Sequence, residues 1–123
     1  MMGNFSVKYT VSRPRTVVEQ AVQDMCKRYG PDSQIDVCIE EMSELTKALI
    51  KDRRSKLYTR EANFDGRTEV LEELADVYFM LEYIQFIFQI GSDEIYRKVL
   101  DKAKRTLHRY LMEDENEKNT DSE

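Results

Sequence analysis

The chain has 123 residues and a formal net charge of −5 at pH 7. This length suits a single domain that is small enough to bury further apolar surface by oligomerisation. With 35% charged and 41% hydrophobic residues but only 4 Gly and 2 Pro, the composition favours a helical globular protein over a disordered or fibrous one. The acidic balance argues against a nucleic-acid-binding surface, because contact with a phosphate backbone requires a basic face.

The cysteines and the apolar segments indicate the compartment. Cys26 and Cys38 form no CxxC motif, and His108 is the only histidine. A zinc-ligand set is therefore excluded, and both thiols are predicted to be reduced. The N-terminus lacks the charged start and apolar run of a signal peptide. The apolar stretch 77–90 is too short to span a membrane and contains Glu82. These features predict a cytoplasmic protein with no membrane contact.

The hydrophobic pattern predicts an extended arm, a helical domain and a tail. Alternating apolar residues in 1–14 indicate a short extended arm that Pro14 ends. Residues 15–112 form the helical domain. The almost wholly polar and acidic segment 113–123 is predicted to be disordered.

Four helices are expected in the domain, each with recognisable end signals. The first runs from about Thr16 to Tyr29 and is stopped by Gly30-Pro31; the second is capped by Asp32 or Ser33 and lasts to about Lys51; the third runs from near Thr68 to about Gln89; the fourth opens with Ser92 as N-cap and carries its apolar face as far as Leu111.

Two acidic clusters on the second and third helices are the main functional signal. Glu41 and Glu44 are three residues apart, as are Glu73 and Asp76, so the members of each pair point to the same side of their helix. Both pairs border an apolar stripe, where ionised groups need compensation, whereas Glu40 falls on the solvent side. Hard divalent cations bind such oxygens, so a Mg²⁺ site is predicted, with Mn²⁺ as an alternative. Either pair alone also arises by chance in a chain this acidic.

Two basic segments are candidates for binding a small polyanion. Residues 51–60 connect the two acidic helices and are rich in Lys and Arg, and Lys102 and Arg105 share a column with Arg109 on the last helix. Guanidinium groups beside metal-binding carboxylates suit a triphosphate. The alternative for both segments is ordinary solvated surface charge.

The motifs carry a resemblance to a known family. The segment from Ile39 to Leu45 and the segment from Glu72 to Val77 resemble, in this order and separation, the EExxE and ExxD motifs of the MazG-like all-α nucleotide pyrophosphohydrolases. The likeness is closest to the short phage and prophage members, and it extends over roughly residues 33 to 111.

This resemblance implies a fold, a reaction and a set of site residues. The fold is an all-α, four-helix MazG-like bundle completed by oligomerisation as a homodimer or tetramer. The reaction is hydrolysis of a nucleoside or deoxynucleoside triphosphate to the monophosphate and pyrophosphate. The Mg²⁺ ligands are Glu41, Glu44, Glu73 and Asp76, and we expect Glu44 also to orient or deprotonate the attacking water. Independently, the wide apolar arc of the third helix favours a homodimer.

Two other classes remain as alternatives. A di-iron carboxylate bundle would normally place a His three residues after a Glu on two helices, and this chain has no such pair. A non-enzymatic helical interaction or regulatory bundle would leave the acidic clusters free of metal, and Mg²⁺ would then not change its melting temperature.

Overall fold

The described part of the chain is all-α. The structure, a computed structural model, describes residues 16–59 and 65–121. These ranges contain four α-helices and no strand: α1 (Val17–Tyr29), α2 (Pro31–Arg54), α3 (Gly66–Phe88) and α4 (Ser92–Asp121), with a π-helical turn at Ser55–Thr59. The predicted fold class is thus confirmed at the level of all-α. The extended arm predicted for 1–14 lies outside the described residues.

The chain divides into two compact units after Gln89. In its described part the first unit holds α1, α2 and α3, and the second holds α4. Residues 15–112, predicted to form one helical domain, thus extend over both units. Within the described ranges, no helix combines the length and the apolar character needed to cross a membrane.

Thr16 caps the start of α1: its Oγ1 accepts a hydrogen bond from the Glu19 backbone N–H at 3.2 Å.

The junction between α1 and α2 consists of two residues with unusual backbones, Gly30 and Pro31. Gly30 ends α1 with φ of 87°, a value that strains any residue with a Cβ. Pro31 then starts α2 at once, because its fixed φ suits the first helical position. The predicted cap at Asp32 or Ser33 is wrong, since Gly30 itself is the N-cap residue of α2.

The C-terminal end of α2 extends beyond the predicted boundary. The helix runs past Lys51 to Arg54 and continues as the π-helical turn. Ser55 Oγ donates to the Asp52 carbonyl at 2.8 Å, and the Lys56 ammonium lies 2.9 Å from the Asp52 carboxylate. These local contacts stabilise helical backbone in a segment whose charges had suggested a loop.

The core of the first unit lies where the three helices meet. Its buried side chains come from α1, α2 and α3: Val22, Cys26, Cys38, Met80, Tyr83 and Phe86. Both cysteines are free and buried, and burial raises the pKa of the Cys26 thiol to about 11. At neutral pH Cys26 is therefore an unreactive thiol.

The buried face of α3 differs from the stripe that the sequence indicated. The three- and four-residue spacing predicts a core-facing stripe that consists of Val70, Leu74, Val77, Leu81, Ile84 and Phe88. Of these, Leu74, Leu81 and Phe88 are exposed, while Tyr83 and Phe86, which lie outside the stripe, are buried. The reason is that α3 is apolar on nearly all sides, so periodicity alone does not select the face that packs against α1 and α2.

The last helix, α4, is longer than expected. It continues to Asp121, so the predicted disordered tail is helical up to that residue. Contacts four residues apart stabilise the extension, with Lys118 3.1 Å from Asp114 and Thr120 Oγ1 donating to the Asn116 carbonyl at 2.8 Å. No residue of α4 is buried.

Candidate metal centre

The antiparallel packing of α2 against α3 brings the acidic clusters together. At one end of the pair Gly66 lies against the Asp52 side chain, and a Cβ at position 66 would force the Asp52 carboxylate to move. Next to this contact, Lys51 pairs with Glu69 at 3.3 Å. Measured from the contact between Gly66 and Asp52, the acidic cluster of α2 and the acidic cluster of α3 lie at similar distances along their helices, which rise about 1.5 Å per residue.

Three carboxylates converge at that level. Glu41 on α2 and Glu73 and Asp76 on α3 each offer one oxygen, and the three oxygens lie within 4.8 Å of one another. Glu41 and Glu73 are partly buried, whereas Asp76 is exposed. Oxygens bound to one Mg²⁺ ion at about 2.1 Å are separated by at most about 4 Å. Small side-chain adjustments would therefore bring the three oxygens close enough to hold such an ion.

The convergent carboxylates repel one another. None of the three forms an ion pair with a basic side chain in the described part of the chain. Burial, followed by the negative charges of Asp76 and Glu73, raises the pKa of Glu41. Burial and then the charge of Asp76 likewise raise the pKa of Glu73. A divalent cation would relieve this repulsion, so Glu41, Glu73 and Asp76 fit a metal site.

Glu44 lies beside this group rather than in it. Its Oε1 is 3.2 Å from the Lys47 ammonium, in an ion pair between neighbouring turns of α2. Its charge nevertheless contributes to raising the pKa of both Glu41 and Glu73. The predicted set of four carboxylates therefore consists of three that converge and a fourth at their edge. Glu40 is exposed, as predicted.

The basic candidates occupy other positions. Lys102 and Arg105 are exposed on α4, in the second unit, where Arg105 lies 3.4 Å from Asp101. In segment 51–60, Lys51 and Lys56 both pair with acidic side chains. The side chains that converge in the first unit are therefore the three carboxylates, without a basic candidate among them in the described ranges.

A pocket adjoins the carboxylates, and sequence reasoning missed it. It has a volume of about 530 Å³, it lies between α1, α2 and α3, and its lining includes Glu41 and Asp76. The lining also includes Gln34, Phe79 and Tyr83. The available signal was the spacing of Gln34 and Glu41, which places them two turns apart on the same face of α2.

Comparison with known proteins adds no relative. No family model matches the sequence, and no curated protein or solved structure is significantly similar to it.

Repulsion among the carboxylates makes a prediction for the metal-free protein. Replacing Glu73 by Gln should raise the melting temperature at pH 7, because it removes one of the repelling charges. A pKa raised on folding means that protonation favours the folded state, so stability falls as pH rises through the window between the ordinary and the raised pKa. The gain from Glu73→Gln should accordingly shrink as pH is lowered through that window.

Thermal unfolding in EDTA at pH 7 and at pH 4 measures this effect. Glu72→Gln is the matched control, because Glu72 is the neighbouring residue but is exposed and lies outside the group. A smaller change is expected for it. A lower melting temperature for Glu73→Gln than for the parent at pH 7 would contradict the account.

Proposed function

We propose that the chain is a Mg²⁺-dependent nucleoside or deoxynucleoside triphosphate pyrophosphohydrolase. It converts the triphosphate and water to the monophosphate and pyrophosphate. The observation that carries this proposal is the convergence of Glu41, Glu73 and Asp76 beside a pocket large enough for an organic ligand. The likeness of the two acidic segments to the EExxE and ExxD motifs supports it.

Each carboxylate has a role in this reaction. Glu41, Glu73 and Asp76 are the proposed Mg²⁺ ligands, with Mn²⁺ as the alternative ion, and Glu44 is the fourth ligand candidate. When bound, the ion supplies positive charge that neutralises phosphate oxygens and favours ionisation of a nearby water. Three carboxylates that pair with no basic side chain in the described ranges would repel a triphosphate, so a cation is required for the substrate to approach.

Glu44 is the proposed general base. Its carboxylate lies at the edge of the group and is held only by an exposed pair with Lys47, which contributes little energy and leaves an oxygen available. In the proposed step Glu44 takes a proton from the attacking water as the water oxygen forms a bond to the α-phosphorus. The bond from the α-phosphorus to the oxygen bridging the α and β phosphates then breaks, and pyrophosphate leaves with the electron pair.

The phosphate contacts and the cellular setting complete this proposal. Lys102 and Arg105 are proposed to bind phosphate oxygens, since both side chains are exposed and cationic. The MazG-like bundle and a cytoplasmic location are proposed on the same basis as the activity, namely the motif resemblance and the sequence features that accompany it.

A homo-oligomer is the proposed assembly. The exposed face of α3 carries five apolar residues: Leu71, Leu74, Tyr78, Leu81 and Phe88. The steps from Leu71 to Leu81 alternate between three and four residues, and Phe88 follows seven residues later. This is the spacing of a seam in which two helices interlock side chains. Because a soluble protein rarely leaves such a stripe in water, a second copy of the chain is the proposed occupant, in a dimer or a dimer of dimers.

The exposed apolar residues also favour the second candidate function. On α4 they include Tyr96, Leu107 and Tyr110, and a helix of this kind suits binding to another protein. A non-enzymatic interaction or regulatory bundle is therefore the alternative to the enzyme.

Pyrophosphate release separates the two functions. With each common NTP and dNTP in the presence of Mg²⁺, the chain should release pyrophosphate and the matching monophosphate, and EDTA should abolish release. Glu44→Gln should lower kcat by about 10²-fold or more, as expected for removal of a general base, while Glu40→Gln should stay within about 2-fold of the parent, since a solvated surface change has little effect. No metal-dependent release from the full panel by folded protein would favour the interaction bundle.

Light scattering tests the proposed assembly. At micromolar concentration the parent chain should have at least twice the mass of the 14.6 kDa protomer. The double variant Tyr78→Glu with Leu81→Glu should shift the protein to the monomer, because two charges cannot be buried unpaired in an apolar seam. Ser33→Glu adds charge at an exposed polar position on α2 and should leave the mass unchanged. A monomeric parent would contradict the proposed oligomer.

A further inference from the structure

The pocket beside the carboxylates has the volume of a small-molecule site. Its volume of about 530 Å³ falls in the range of small-molecule pockets. Because Glu41 and Asp76 belong both to its lining and to the convergent carboxylate group, the pocket is continuous with the candidate metal centre. A single ligand can therefore contact both.

The walls of the pocket favour a flat, partly apolar group. Met25 and Tyr29 of α1 line one side, and Phe79 and Tyr83 of α3 line another. The rings of Phe79 and Tyr83 lie edge to face, with centroids 5.1 Å apart and an interplanar angle of 83°. Ring faces and thioethers of this kind pack well against planar aromatic ligands.

One polar side chain in this wall has no partner. Gln34 is only 8% exposed, yet within the described part of the chain its side-chain amide forms no hydrogen bond. No fully buried side-chain nitrogen or oxygen there lacks a partner, so the amide atoms of Gln34 must reach open space, and Gln34 lines the pocket. Buried polar groups in native proteins are nearly always hydrogen-bonded. The Gln34 amide atoms face the pocket without a protein partner among the described residues, so a ligand that fills the pocket and displaces water there must supply donors and acceptors of its own.

The Gln34 amide and the Glu41 carboxylate lie at different positions along the wall of the pocket that α2 forms. Gln34 and Glu41 are seven residues apart on α2, which is about 10 Å along the helix axis and close to the same face. A ligand that satisfies both ends has a polar, hydrogen-bonding edge at one end and a metal-binding anionic group at the other. A nucleoside phosphate has this arrangement, with a planar base at one end and phosphates at the other.

We propose that the pocket between α1, α2 and α3 binds the nucleobase of the triphosphate and that Gln34 hydrogen-bonds the polar edge of the base. The assignment of the phosphate end rests on the proposed function, whereas the assignment of the base end rests on the pocket and on Gln34. Because the amide offers both a donor and an acceptor and can rotate to exchange them, Gln34 recognises a base edge in general and does not by itself separate amino bases from keto bases.

Binding measurements on matched probes test the pocket separately from catalysis. Isothermal titration in Mg²⁺ uses two kinds of probe: α,β-methylene analogues of dCTP and dUTP, which carry a base and resist cleavage between the α and β phosphates, and inorganic tripolyphosphate, which has no base. Gln34→Met keeps the side-chain length but removes the donor and acceptor. Gln23→Met is the control, because Gln23 is equally buried at 8% but does not line the pocket.

The expected pattern separates the two ends of the site. Gln34→Met should weaken both nucleotide analogues by about 10-fold, the worth of one to two hydrogen bonds, and leave tripolyphosphate unchanged, which also shows that the variant is folded. Gln23→Met should change none of the three affinities. Gln34→Glu can only accept hydrogen bonds when ionised, so it should favour the dCTP analogue, with its amino group, over the dUTP analogue by about 10-fold relative to the parent.

Several outcomes would overturn the inference. Equal affinity of the parent for the nucleotide analogues and for tripolyphosphate would show that the pocket contributes no binding to the base. That result would leave the phosphate end of the site, and thus the proposed hydrolase, uncontradicted. Equal weakening of analogues and tripolyphosphate by Gln34→Met would assign Gln34 to the phosphate end or to folding. Failure of the parent to bind any of the three probes would overturn the proposed function together with the pocket.

Discussion

The close antiparallel packing of α2 and α3 is the constraint on which the candidate site depends. Gly66 allows the start of α3 to lie directly against Asp52 near the end of α2, and the pair between Lys51 and Glu69 lies next to it. The same register of the two helices brings Glu41 to the level of Glu73 and Asp76. A shift of one residue would rotate a carboxylate by about 100° away from the group.

The same packing places like charges where water is partly excluded, and this costs stability. The raised pKa values of Glu41 and Glu73 reflect burial first and mutual repulsion second. A fold maintains such an arrangement readily when a cation is present in the working state, because the ion converts repulsion into coordination. The adjoining pocket suits an organic group for a similar reason. The carboxylates lack a compensating charge and the Gln34 amide lacks a hydrogen-bond partner among the described residues, and a bound ligand could supply both.

Local sequence signals predicted much of this arrangement. Spacing of three residues within each acidic pair predicted which carboxylates share a side, and Thr16 and Gly30 correctly indicated the ends of α1. The buried face of α3 was not predictable, because Leu74 and Leu81 are as apolar as the buried Val77 and only contact with α1 and α2 selects among them. The position of Glu44 outside the group and the pocket around Gln34 also depend on tertiary packing, which helical periodicity does not encode.

Direct titration with Mn²⁺, followed by the loss of its electron paramagnetic resonance signal, tests whether the three carboxylates form one cation site. The parent chain should bind Mn²⁺ in competition with Mg²⁺, and Glu41→Gln, Glu73→Gln and Asp76→Asn should each weaken binding by at least about 10-fold, as expected for loss of a charged ligand. Glu40→Gln and Glu72→Gln, which alter exposed neighbours, should bind nearly as the parent does. Absence of Mn²⁺ binding by folded parent protein, or equal weakening by all five substitutions, would contradict a defined metal centre.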